Sequence, residues 1–133
     1  MTRPAKKPGY SELQGAIYAA LTAAGLTVFD EPGENQAFPY LTIGESSTLE
    51  AATKTENADE HFETINIWSR YKGFKQCKDL AASAIQAISG RNYSAVTGYK
   101  VRFLDIDNTV FLRDPDGLTR HGVVRARFKV IQE

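Results

Sequence analysis

Two long runs with strand-like patterning, 99–112 and 123–131, meet at Leu112-Arg113-Asp114-Pro115-Asp116-Gly117-Leu118-Thr119-Arg120-His121-Gly122. That junction dictates a β-hairpin. Pro115 presets φ for the first central position of a type I turn, and Asp114 can hydrogen-bond back to the turn backbone. Asp116 tolerates the bridging conformation, and Gly117 takes the positive φ that ends the turn with a bulge. Arg113 and Arg120 flank this acidic tip and are expected to neutralise Asp114 and Asp116. The returning run alternates, with Val124, Ala126, Phe128 and Val130 pointing inward and Arg125, Arg127 and Lys129 outward. The outgoing run changes phase: Tyr99, Val101 and Phe103 occupy odd positions, whereas Leu104, Ile106, Val110 and Leu112 occupy even ones. A one-residue slip moves every side chain to the other face, so a bulge is expected between Phe103 and Asp107.

The rest of the chain supplies what a long hairpin packs against. Residues 1–9, with two prolines and three bases, read as a flexible N-terminal arm, and residues 10–133 as a single domain. Ser11 predicts the N-cap of a helix over about 12–24, with Leu13, Ile17, Ala20, Leu21 and Ala24 on its buried stripe and Gly25 as its stop. A short apolar strand over Leu26 to Phe29 follows. Then come a Pro-Gly loop and a strand from Pro39 that places Leu41 and Ile43 on one face. Residues 46–60 hold almost no large apolar side chain and read as frayed strand ends around a mobile loop, turning near Asn57 to Asp59. His61 to Tyr71 reads as a strand with Ile65, Ile67 and Tyr71 on one face and Phe62 and Trp68 on the other. Apolar residues on both faces predict a central strand. A second helix over about 74–88 buries Phe74, Cys77, Ala81, Ala84, Ile85 and Ile88, and Gly90 ends it. The order is α-β-β-β-α-β-β. This predicts an α+β domain, a mainly antiparallel β-sheet with two helices packed on one face and a long C-terminal β-hairpin.

The chain carries little that performs chemistry. A single cysteine, Cys77, lies on a helix stripe, which excludes an internal disulfide and suits a buried thiol in a reducing compartment. No apolar run reaches the length of a membrane span, so no membrane partner is expected. His61 and His121 sit at strand ends among polar residues, where a surface role is expected for both. Glu63 with Asp105 and Asp107 is the minimum for a magnesium-dependent nuclease, but no lysine completes the set. Arg70, Tyr71, Lys72, Phe74 and Lys75 mix bases with aromatics and offer a nucleic-acid-binding reading. A net charge of zero argues against strong non-specific binding. No catalytic residue, metal or cofactor is called for, and an interaction role becomes the default.

Charge is nevertheless segregated along the sequence. Residues 30–63 hold nine carboxylates and one lysine, whereas residues 64–133 hold twelve bases and six acids. Either the two segments form separate acidic and basic surfaces, which head-to-tail contact between subunits would pair, or they interleave within one fold and cancel.

Three stretches carry a resemblance that runs from Leu13 to Phe128. They are Phe38-Pro39-Tyr40-Leu41-Thr42-Ile43-Gly44-Glu45; Lys54-Thr55-Glu56 leading to Glu60-His61 and Ile67-Trp68-Ser69-Arg70; and Arg113 to Gly122, the most specific of the three. In their order and spacing the chain resembles the tail-completion, or tail-terminator, proteins of long-tailed, siphovirus-like bacteriophages and gene transfer agents. The basic arm before Tyr10 departs from that family's usual early start at the first helix. The resemblance implies a non-enzymatic virion protein, assembled in the host cytoplasm. Its partners would be copies of itself in a homo-oligomeric, hexameric ring, the tail tube protein, and the head–tail connector or neck proteins. Genomic DNA would pass through the channel without sequence-specific binding. A head-closure component is the alternative within the same biology. Charge and resemblance together nominate Lys54, Glu56, Asp59, Glu60, Arg70, Arg113, Asp114, Asp116, Arg120, His121, Arg125 and Arg127 as the subunit or partner interface. On this reading loop 46–60 and tip 113–122 become ordered only in the assembly.

Overall fold

In the structure, a computed structural model that describes residues 4–94 and 96–133, five strands form one sheet and two helices cover one of its faces. The elements in order are α1 (Tyr10–Ala23), β1 (Val28–Phe29), β2 (Tyr40–Glu50), β3 (Ala58–Ser69), α2 (Lys75–Ser89), β4 (Tyr99–Arg113) and β5 (Arg120–Gln132). The strand order is β1-β2-β3-β5-β4, antiparallel throughout except for the short parallel pair of β1 with β2. The α+β architecture expected from the sequence is the one observed.

Strand β3 is central, as its two-faced apolar content requires. It pairs with β2 from Tyr40↔Trp68 to Glu50↔Asp59 and with β5 from Ala58↔Ile131 to Ser69↔Arg120. The expected bulge of β4 is present between Phe103 and Asp105, but a second irregularity between Ile106 and Asn108 restores the original phase, so Phe111 packs against the core while Val110 and Leu112, grouped with Ile106 by the sequence, are exposed. Leu13, Ile17, Leu21, Ile65, Ile67, Ile88, Val124 and Phe128 form the fully buried centre between helices and sheet. Each such side chain is worth about 1.5–3 kcal/mol relative to exposure.

Several local expectations are corrected. Helix α1 begins at Tyr10 with Gly9 at its N-cap and no side-chain cap, while the Ser11 hydroxyl reaches only Glu12. Ala24 is exposed beyond the helix end. Tyr71 lies outside β3 and is 67% exposed, so it shares no face with Ile65 and Ile67.

Residues 46–60 are not a long mobile loop. Their strands continue to Glu50 and resume at Ala58, joined by a turn that Ala51 and Thr53 close by bonding Ala58 and Glu56. Apolar burial is not what orders this region. The β ladder satisfies its backbone, and residues 4–9 cover its base. There Lys6 Nζ donates to Asp59 Oδ1 at 2.7 Å, Asn57 Nδ2 donates to the Pro4 carbonyl, and Tyr99 Oη donates to the Lys7 carbonyl. Gln132 bonds both Ala5 and Lys7. Asn57 and Asp59 are buried beneath this strap, and the sequence alone left its contacts unseen.

His61 is a further correction. It is completely buried mid-strand, edge-on to Tyr10 at 5.7 Å, and 3.7 Å from a Glu63 carboxylate oxygen. The strand alternation carries its side chain under α1, so it has no surface role.

Candidate assembly interface

The sheet has two ends and one bare face. At the arm end lie residues 4–9, the 51–57 turn and the start of β4. At the opposite end lies the β4–β5 turn, expected from the Pro-Asp-Gly signal and present between Arg113 and Arg120. Asp114 N–H bonds the Thr119 carbonyl at 2.9 Å, Gly117 N–H bonds the Asp114 carbonyl at 3.0 Å, and Gly117 has φ +72°. The side chain that binds the turn is Asp116, not Asp114 as the sequence suggested. Its carboxylate accepts from Leu118 N–H, Thr119 N–H and the Thr119 hydroxyl at 2.7–2.8 Å. The bonds that shape the tip are therefore all made within a single chain.

Those bonds, led by the Thr119 N–H, lower the Asp116 pKa from its ordinary 3.8 to about 2. A depressed carboxylate contributes stability above its ordinary pKa and loses it as pH falls through the folded value. The tip is therefore expected to stay closed through pH 4 and to open as pH approaches 2. Amide shifts of Leu118 and Thr119 should titrate near 2; titration near 4 would show that the three bonds do not form.

The partners of the charged tip residues differ from the simple cancellation expected. Asp116 is 3.8 Å from Arg70, whose Nε donates to Thr119 Oγ1, and Asp114 is 4.0 Å from His121. Arg113 and Arg120 face each other directly across the hairpin. Arg120 donates to the Leu118 carbonyl at 2.7 Å, while its buried Nε has no hydrogen-bond partner. Like charges directly opposed across a ladder are unfavourable.

On the bare face, the alternation of β3 and β5 sets aromatics against polar groups. Trp68 stacks on His121 at 3.8 Å, and its Nε1 donates to Thr42. His121 Nε2 shares a 2.7 Å hydrogen bond with Asn66, and burial pushes the His121 pKa down against the pull of Asp114. Trp68, His121, Asn66 and Arg125 line an open groove of about 600 Å³. Arg125 lies over Phe62 and 3.3 Å from Asp107, and Arg127 binds Asp105 at 2.7 Å and Glu60 at 3.1 Å. Asp59 is held by Lys6. Of these pairs only Glu60 with Arg127 joins the acidic segment to the basic one; Asp59 is met by the arm, and Asp105 and Asp107 by bases of their own segment. Lys54 and Glu56 lie exposed on the 51–57 turn, apart from the tip.

The nuclease reading fails on geometry. Glu63 pairs with Ala126 on the helix-covered face and is buried, whereas Asp105 and Asp107 lie on the bare face holding Arg127 and Arg125. Among the described residues no group of three or more His, Cys, Asp or Glu could hold a metal ion. No helix among them is long and apolar enough to cross a membrane.

Sequence reasoning passed over a pocket of about 420 Å³ between α1 and residues 91–97. Ala16, Ala19 and Val96 line it with Tyr93, Glu12 and Arg91. Its only sequence signal was small residues at helical spacing beside the buried stripe of α1, which the moderate-length helix equally explains as ordinary packing.

Comparison with known proteins gives three findings. The family model described as Tail completion protein gp17 matches residues 9–131. A curated relative, the tail completion protein gp17 of Bacillus phage SPP1, is 21% identical over 103 residues, covering 77% of this chain and 75% of that protein. Among solved structures, a chain in the virion of a native gene transfer agent particle matches with TM-score 0.80 at 24% identity, covering 95% of this chain and 99% of that one. The structure of SPP1 gp17 matches with TM-score 0.54 at 20% identity, over 89% and 88% respectively.

Proposed function

This chain belongs to the tail completion protein gp17 family, a structural family of virion tails and not of enzymes, and from that premise we propose that it works as a closed ring. Six copies assemble at the head-proximal end of the tail tube, stop tube growth, and present the surface that meets the head connector. Genomic DNA passes through the central channel without sequence-specific contact. The family match over residues 9–131 carries this reading.

The surface chemistry supports it. Of the nominated interface residues, Asp59, Glu60, Arg125 and Arg127 are engaged by partners within the chain. Lys54 and Glu56 on the 51–57 turn, with Arg113 and Arg120 at the tip, keep the exposed or unbalanced charge that a neighbouring subunit can meet. The pairs made within the chain are mostly solvent-exposed and worth about 1 kcal/mol or less each, so exchange for intersubunit pairs costs little.

The test adds purified protein to growing tail tubes. Growth is expected to stop, with a six-fold ring at one tube end by negative-stain imaging. Tubes that lengthen at an undiminished rate would refute the reading. So would particles that lack the protein yet carry tails of normal length joined to filled capsids.

A further inference from the structure

Two features remain without an occupant: the pocket beside α1, and a leucine on the hairpin tip with nothing over it. We propose that Leu118 of one subunit seats in the pocket between α1 and residues 91–97 of the next, a contact that rests on the ring reading above.

Leu118 is 60% exposed on a turn that Asp116 fixes through three hydrogen bonds. A rigid apolar anchor binds at little ordering cost, because its backbone is already in the bound shape. The pocket offers an apolar floor, Ala16, Ala19 and Val96, in a volume of about 420 Å³ that admits a leucine with part of its turn.

Charge selects a second copy of this chain as the occupant. Arg113 and Arg120 oppose each other at the tip, while the tip's own carboxylates are turned toward Arg70 and His121. Glu12, which lines the pocket, brings an acid to that cationic pair; within its own chain its carboxylate accepts a long bond, 3.4 Å, from the Ser11 hydroxyl. Arg91, lining the same pocket, offers the opposite sign to Asp114. Each end of the contact thus offers a charge opposite in sign to one on the other.

The contact cannot form within one subunit. Tyr93 at the pocket packs edge-on to Phe128 at 5.8 Å, and Phe128 lies eight residues along β5 from Arg120. That spacing is about 27 Å at the rise of an extended strand. Tip and pocket lie toward opposite ends of the sheet, so one subunit's tip meets the next one's pocket. Such a head-to-tail contact repeats, and closes into a ring when the rotation per step allows.

A cysteine pair tests it. Cys77 is buried, so Leu118→Cys with Ala19→Cys places the accessible thiols at the proposed contact. Mild oxidation of assembled protein is expected to give a covalent ladder ending at the full ring, while either single variant gives nothing larger than a dimer. Rings that form but yield no ladder overturn the contact and leave the ring reading standing. A ladder with no upper limit keeps the contact and overturns ring closure. Leu118→Asp provides the second measurement: the concentration for half-assembly should rise about tenfold or more while the monomer melts as before. Unchanged assembly of Leu118→Asp overturns the proposal.

Discussion

Phe128→Ala is expected to remove about 3–5 kcal/mol of folding stability, a large share of the roughly 5–15 kcal/mol that holds a domain together. Phe128 is completely buried in the middle of β5. Its ring meets Tyr93 edge-on at 5.8 Å and Phe103 edge-on at 5.6 Å, joining the 91–97 segment and β4 to the core. Tyr93 has little freedom to collapse into the space. Its hydroxyl is tied to the Ile88 carbonyl at 2.6 Å, and burial pushes its pKa up to about 12. The vacated volume should therefore persist as a cavity, the condition under which such truncations cost most. Urea denaturation with an unchanged m-value measures the loss. A loss below about 1 kcal/mol would mean that the neighbours close the gap, contrary to this packing. The same substitution loosens one wall of the pocket beside α1, so assembly should weaken even at temperatures where the variant stays folded.

The second large effect comes from adding atoms. Gly122→Leu is expected to cost about 3 kcal/mol, the upper end of the usual penalty for overfilling a packed core. A Cβ built at Gly122 would stand 3.0 Å from Cys77 Sγ, 3.3 Å from the Phe111 ring and 3.4 Å from Ile67 Cβ. Helix α2 lies that close to β5 because this position has no side chain. Cys77 is fixed in the helix, and Ile67 and Phe111 belong to the strands on either side, so no single rotamer change makes room. Thermal melting should show the loss, and Gly122→Ala should show a smaller one. Equal stability of the leucine variant would contradict the close approach. Gly122 closes the stretch from Arg113 that carries the most specific family resemblance; its place there follows from packing as well as from the turn.

What could be read from sequence follows from what acts locally. Period-two alternation in 123–131 and the Cys77, Ala81, Ala84, Ile88 stripe of α2 are each written in consecutive residues, and the structure places them as expected; the phase slip in 99–112 is present but a second irregularity undoes it, so Val110 and Leu112 end exposed. The turn at Gly117 was legible because few residues take positive φ. Errors arose where the deciding group is distant. Asp59 and Asn57 look like loop residues until Lys6 and Pro4, more than fifty positions away, come to lie over them. His61 looked like a surface residue because the sequence put it at a strand end among polar residues, yet β3 starts earlier, at Ala58, and its alternation aims His61 beneath Tyr10. Within the tip, local chemistry named the right acids and gave them the wrong cations, since Arg70 approaches from the end of β3. Pocket and groove were invisible for the same reason: a concavity belongs to no single segment.

The strap of residues 4–9 has a consequence for how the chain comes off the ribosome. Its anchors are Asn57, Asp59, Tyr99 and Gln132, and the central strand β3 waits for β5, with paired residues 51 to 73 positions apart from Ser69↔Arg120 to Ala58↔Ile131. Residues 4–9 therefore cannot dock fully until Gln132, 125 positions beyond Lys7, has emerged. Folding dominated by such remote pairings is slow, so the strap closes late, over a sheet that is already complete.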